Sequence, residues 1–156
     1  MTHTTINPEL GGAGKKVGIV LSRFNAPIGE LLLKGAQRAL DQHGVRAADV
    51  VVISVPGALE TPLALQYLAQ TRRFHALVAL GAVIRGETYH FEIVANESAS
   101  GVSSVALEFG VPVGNGILTT DTDAQALARA EQKGAEAAEA ALEMANLRMA
   151  IGAYER

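Results

Sequence analysis

"HALVALGAVIRGETYHFEIV", residues 75–94, decides how this chain folds. Positions 75–83 are apolar almost without a break, the pattern of a strand covered on both faces. The run stops at "RGET" (85–88), and a helical pattern begins near Thr88 and continues toward Phe109. A buried strand passing through a short polar break into a helix is the repeating half of a parallel α/β sheet. Arg85, Glu87, Thr88 and His90 crowd into that break, although only 19% of all residues are charged. The cluster is therefore either a solvated turn or a place where chemistry is done.

Three more segments repeat the arrangement. "KVGIVLS" (16–22) is too short for a helix and rich in β-branched residues. It leads into residues 25–44, with Asn25 at the N-cap position, Pro27 in the first turn and Gly44 as the stop. Ile28, Leu31, Leu32, Gly35, Ala36, Ala39 and Leu40 recur there at helical spacing. "DVVVISV" (49–55) is the second strand, and "PGALETPLALQYLAQ" is a turn feeding a helix. "VPVGNGILT" (111–119) is the fourth strand, read as interrupted by Gly114 and Gly116. Thr122 and Gln125 have capping-box spacing at the start of the next helix, and a separate Ala-rich helix is expected from about 134 to 151. Four strand–helix repeats with right-handed crossovers predict an α/β fold, a flavodoxin-like three-layer α/β/α sandwich with a four-stranded parallel sheet.

Composition narrows the function. The 156 residues suit one domain, able to bury roughly 70% of its unfolded surface. With no cysteine, disulfides, thiolate nucleophiles and cysteine-ligated metals are excluded. A formal charge of −3 gives no general attraction to nucleic acid or to an anionic membrane. No apolar run reaches the ~20 residues of a membrane span. "MTHTTINPELGGAGKK" lacks the pattern of a signal or transit peptide, so residues 1–15 are expected to be a flexible arm, 16–156 the domain, and the location cytoplasmic.

In an open α/β sheet, ligands gather beyond the carboxyl ends of the strands. At the first end stands Phe24, whose ring either packs on its own helix or stacks on a flat heterocycle. At the second, Pro56 and Gly57 force a turn. The amides of Ala58 and Leu59 there can bond a ligand edge, and Glu60 suits the positive end of the next helix. At the third, Gly86 permits a tight turn after which the amides of Glu87 and Thr88 face outward, an arrangement suited to phosphate or carboxylate. His90 falls in the first helical turn, where the helix dipole disfavours an imidazolium and leaves the ring able to pass protons. Past the fourth end, Arg129 and Lys133 share a helix face, either as solvated surface or as a clamp on an anion. Neither a metal-ligand pattern nor a P-loop nor a dinucleotide fingerprint is present.

Taken in order, "RFN", "VPGALE", "GAVIRGETYHF", "NGILTT", "QALARA" and "KGAEAAEAALEMANL" resemble the 6,7-dimethyl-8-ribityllumazine synthases of riboflavin biosynthesis, over about residues 16–148. The resemblance implies a transferase that condenses 5-amino-6-(D-ribitylamino)uracil with 3,4-dihydroxy-2-butanone 4-phosphate, with no cofactor and no metal. It implies that Phe24 stacks on the pyrimidinedione, and that the backbone at Ala58, Leu59, Glu60, Ala82, Val83 and Ile84 holds the heterocycle and ribityl chain. Glu87 and Thr88 would contact the phosphate substrate, and His90 would give and take protons. Asn115 and Arg129, with Lys133 beside them, would come from a neighbouring subunit of a pentamer. Shell-forming relatives carry a longer glycine-containing kink before the Lys-Gly pair. Only "AEQ" (130–132) lies between Arg129 and Lys133 here, so the last two helices are expected to meet at a different angle, giving a pentamer or a pair of pentamers. A flavin- or lumazine-binding protein without turnover, or a binding module for another phosphate compound, would use the same fold but would need no proton shuttle.

Overall fold

The computed structural model describes residues 2–154. Four parallel strands, β1 (Val17–Ser22), β2 (Val50–Val55), β3 (Ala76–Ile84) and β4 (Val113–Thr120), form one sheet in the order β2-β1-β3-β4. They are joined by α1 (Ala26–Gln42), α2 (Thr61–Gln70) and α3 (His90–Phe109), and α4 (Asp123–Ala153) follows β4. The three-layer α/β/α sandwich anticipated from the strand pattern is the observed architecture.

The continuous apolar character of β3 has a direct structural cause. Ala76, Val78, Leu80 and Ala82 point into a core shared with α1 and α4. Leu77, Ala79 and Val83 point into a second core with α2 and α3. Because alternate residues of a strand face opposite sides, both sets must be apolar when helices cover both faces. The chain steps from β1 outward to β2, then returns across β1 to β3. That reversal opens a crevice between β1 and β3 at their carboxyl ends, the place where such sheets bind ligands.

Three expectations need correction. First, β4 is not interrupted. Its pairing with β3 runs unbroken from Leu77↔Val113 to Ile84↔Thr120. Gly114 and Gly116 are required from outside the strand: a Cβ on Gly114 would collide with the carbonyl of Ala137, and one on Gly116 with Leu80 and the backbone of Ala79. Second, there is no junction between two final helices. Residues 123–153 form one helix of 31 residues, and Gly134 lies inside it where α4 crosses α1. A Cβ there would overlap the carbonyl oxygen of Leu32, and one on Gly35 would overlap that of Glu131. Third, Asn25 holds the N-cap position of α1 without capping it. Its backbone is left-handed (φ 63°), which Asn tolerates better than most residues, and its side chain bonds elsewhere.

At the start of α4 the expected capping box is present in full. Gln125 N–H donates to Thr122 Oγ1 at 3.1 Å, and Thr122 N–H donates back to Gln125 Oε1 at 3.3 Å. Before β1, the Asn146 amide of α4 donates to the carbonyls of Glu9 and Gly11, and Gly12 N–H donates to His43 O.

Candidate active site

A cavity of about 330 Å³ occupies the crevice at the carboxyl ends of β1, β2 and β3. The β1–α1 turn supplies Phe24 and Asn25, and the β2–α2 turn supplies Gly57, Ala58, Leu59 and Glu60. Ala82, Val83 and Ile84 of β3 form its base, Gly86 and Thr88 one wall, and His90, Phe91 and Val94 of α3 complete it. Ten of the thirteen residues singled out by sequence come from this quarter of the molecule, and nine of them line the cavity. Glu87 is the tenth. It sits between two lining residues, but its own side chain is exposed and lines no part of the cavity.

Each turn is held by identifiable bonds. Arg23 N–H donates to Val55 O at 2.8 Å, and its guanidinium donates to Ser54 Oγ, so the β1 and β2 ends move together. The Asn25 amide donates to Ala82 O at 3.1 Å, tying the β1–α1 turn to β3. Phe24 is thereby left with its ring 71% exposed at the cavity, not packed on its own helix. An aromatic face at the mouth of an apolar-based cleft suits stacking on a planar ring. The single turn of 3-10 helix Ala58–Glu60 lines the same space, and the amides that open a helical turn have no intrahelical acceptor.

The helix after "RGET" begins at His90, two residues later than its pattern suggests. Thr88 lies outside the helix, its hydroxyl accepting the His90 N–H in a long bond of 3.4 Å. Glu87 and Thr88 therefore belong to a bend that precedes the positive end of the helix. His90 is exposed on the rim of the cavity, one turn before Val94 on the same helix face.

Asn115, Arg129 and Lys133 are not brought to this cavity. Asn115 is exposed on β4, where its side-chain oxygen accepts Ile117 N–H at 3.0 Å. Arg129 and Lys133 line a broader, polar depression of about 770 Å³ beside β4, with Arg85, Phe91, Gln125 and Gln132. The Arg129 guanidinium donates to Gln125 O at 2.9 Å. Among the described residues, no group of three or more His, Asp or Glu is placed to hold a metal ion, and no helix is long and apolar enough to cross a membrane.

Sequence reasoning did not single out Asn25, Gly57, Gly86, Phe91 and Val94 as cavity residues. For Val94 a signal existed, since it lies four residues after His90 on a helix that starts at the strand end.

Fold and cavity together define an α/β domain with an open crevice at the switch point of its sheet, the place where such domains bind small molecules. The family description "6,7-dimethyl-8-ribityllumazine synthase" matches residues 14–149. Proteins of that name are similar along nearly the whole chain. The one from Nitrosospira multiformis is 58% identical over 151 residues, covering 97% of this chain and 94% of its own. Those from Paraburkholderia phymatum and Ralstonia nicotianae are 56% and 54% identical, covering 92% and 97% of this chain and 84% and 92% of theirs. The chain belongs to the 6,7-dimethyl-8-ribityllumazine synthase family.

Proposed function

We propose that the protein is a transferase that joins 5-amino-6-(D-ribitylamino)uracil to 3,4-dihydroxy-2-butanone 4-phosphate, giving 6,7-dimethyl-8-ribityllumazine, phosphate and two molecules of water. The observation that carries this reading is the cavity itself. A stacking ring, open backbone edges, an anion-suited bend and a histidine converge at one crevice, in a chain matched to the family over residues 14–149.

In this reading Phe24 stacks on the pyrimidinedione, and the backbone at Ala58–Glu60 and along Ala82, Val83 and Ile84 aligns the heterocycle and ribityl chain. The bend at Glu87 and Thr88 receives the phosphate through amides, so the Glu87 carboxylate need not face an anion. The amine attacks the ketone and a first water is lost as the C=N bond forms, phosphate leaves, and the ring closes with loss of a second water. His90 carries protons between these steps, and holding two reactive partners together supplies much of the acceleration. None of these steps calls for a redox cofactor or a metal.

We further propose that the site is completed by a neighbouring subunit in a pentamer or a pair of pentamers, in the cytoplasm. Asn115 would read the pyrimidine, and Arg129, with Lys133, the phosphate. The separation of these three residues from the cavity within one chain supports a shared site. Incubating the protein with both substrates and following lumazine absorbance and fluorescence tests the reaction. Binding of both without product would overturn it in favour of a non-catalytic binding protein.

A further inference from the structure

The reading above uses the bend at 86–88 but gives no role to the residue that launches it. Arg85 closes β3's last register through its backbone, its N–H donating to Thr120 O at 2.9 Å. Its side chain then forks. Nε donates to Asp121 Oδ1 at 2.8 Å, and Nη1 donates to Glu92 Oε1 at 2.6 Å. The guanidinium also lies 4.5 Å from the centre of the Phe91 ring. One side chain thus links the end of β3, the first turn of α3 and the β4–α4 junction.

Stability alone does not account for this arrangement, because exposed ion pairs contribute little to it. What the arrangement supplies is position. Gly86 follows immediately, with open space where a Cβ would be, so nothing packs against the bend there. Beyond it, among the described residues, the only side-chain bond within the bend is the long one from His90 N–H to Thr88. Phe91, under the guanidinium, lines both the cavity and the depression that holds Arg129 and Lys133. Arg85 itself lines only the depression, and two carboxylates hold its Nε and Nη1.

We propose that Arg85 is a positioning residue that sets the 86–88 bend and the Phe91 ring for the phosphate-bearing substrate, acting through Asp121 and Glu92 instead of binding the phosphate. This rests on the condensation reading. A lysine would keep the charge but could not bridge two separate carboxylates while lying flat on the ring.

Three variants test it: Arg85→Ala, Arg85→Lys and the double variant Glu92→Gln/Asp121→Asn. Arg85→Ala should raise KM for the butanone phosphate about tenfold or more, since misplacing a holding group by ~1 Å costs up to ~10²-fold. KM for the uracil substrate should stay within about twofold, and Arg85→Lys should recover only part of the loss. The double variant should move in the same direction as Arg85→Ala. Amide hydrogen exchange at 86–89 should accelerate in all three. A double variant that binds the phosphate substrate more tightly would overturn the proposal, because it would show a freed Arg85 acting as a direct ligand. Unchanged exchange and an unchanged KM in Arg85→Ala would overturn it as well. A wild-type protein that makes no lumazine would instead sink the condensation reading, and the exchange rates would still decide the role of Arg85.

Discussion

Replacing Gly134 by alanine is the sharpest test of how this fold is held together. In the middle of an exposed helix the change would stabilise by about 1 kcal/mol, because alanine is the better helix former. Gly134 is instead buried where α4 crosses α1, and the new methyl would overlap the carbonyl oxygen of Leu32. The obstacle is backbone of a packed helix, not the tip of a mobile side chain, so the helices must separate. Overpacking of this kind costs about 1–3 kcal/mol, and a rigid obstacle places it near the upper end. Net of propensity, a loss of about 2 kcal/mol remains, or a Tm lower by about 4–8 °C at this chain length. Gly35→Ala should act alike, since its methyl would meet the carbonyl of Glu131 at the same crossing. The double variant should lose less than the sum, because one separation relieves both overlaps. Gly152→Ala is the control. It lies on the same helix with open space around it, and should be neutral to mildly stabilising. Thermal and urea unfolding of the four variants decide the matter. A Gly134→Ala protein more stable than wild type would refute the close-crossing argument.

Other outcomes are expected of the site and its frame. His90→Ala should lower kcat by about 10²–10⁴-fold without abolishing turnover, and an unchanged kcat would remove His90 from the mechanism. Arg129→Ala should raise KM for the phosphate substrate alone. Mixed assemblies of His90→Ala and Arg129→Ala chains should regain activity, and no recovery after verified mixing would exclude a shared site. Thr122→Ala removes half of the capping box and should cost about 0.5–2 kcal/mol in equilibrium unfolding. Acid should weaken the fold. Glu131 is held below the ordinary carboxylate range by its hydrogen bond to Arg38 and by Lys34, Glu92 by Arg85, and Asp49 by Arg46. A depressed carboxylate stabilises the native state above its unfolded pKa and loses that contribution as pH falls through its folded value. Tm should therefore decline as pH drops below about 4, with a smaller decline in Glu131→Gln. A Tm indifferent to pH in that range would contradict the assignment.

The strands were legible because burial on both faces leaves an unbroken apolar signature, as in β3. Glycines misled for the opposite reason. Gly114, Gly116 and Gly134 read locally as interruptions, yet each is demanded by a segment remote in sequence that approaches too closely for a side chain. The site divides in the same way. The "RGETYH" cluster stood out because polar residues at the end of a buried strand are conspicuous. The bond from Asn25 to Ala82 spans 57 positions and that from Arg85 to Asp121 spans 36, so no local pattern announces either. Read locally, Asn25 is therefore a cap and Arg85 one more charge in a polar break.

The single long final helix also bears on the order in which the molecule is built. Ala126, Ala130, Ala137, Ala138, Ala141, Leu142 and Ala145 of α4 supply a large part of one of the two cores. Synthesis runs from the N-terminus, so the sheet exists as an emerging chain before that cover does. Until the 31-residue helix α4 has left the ribosome, α1 alone covers that side, and part of the apolar face of β3 and β4 stays open. The helices of the other side, α2 and α3, are made earlier and can settle at once on the strands already present. The nascent protein is thus a half-closed book whose second cover is completed after the sheet, and its vulnerability to aggregation is concentrated in the interval between the synthesis of β4 and that of α4.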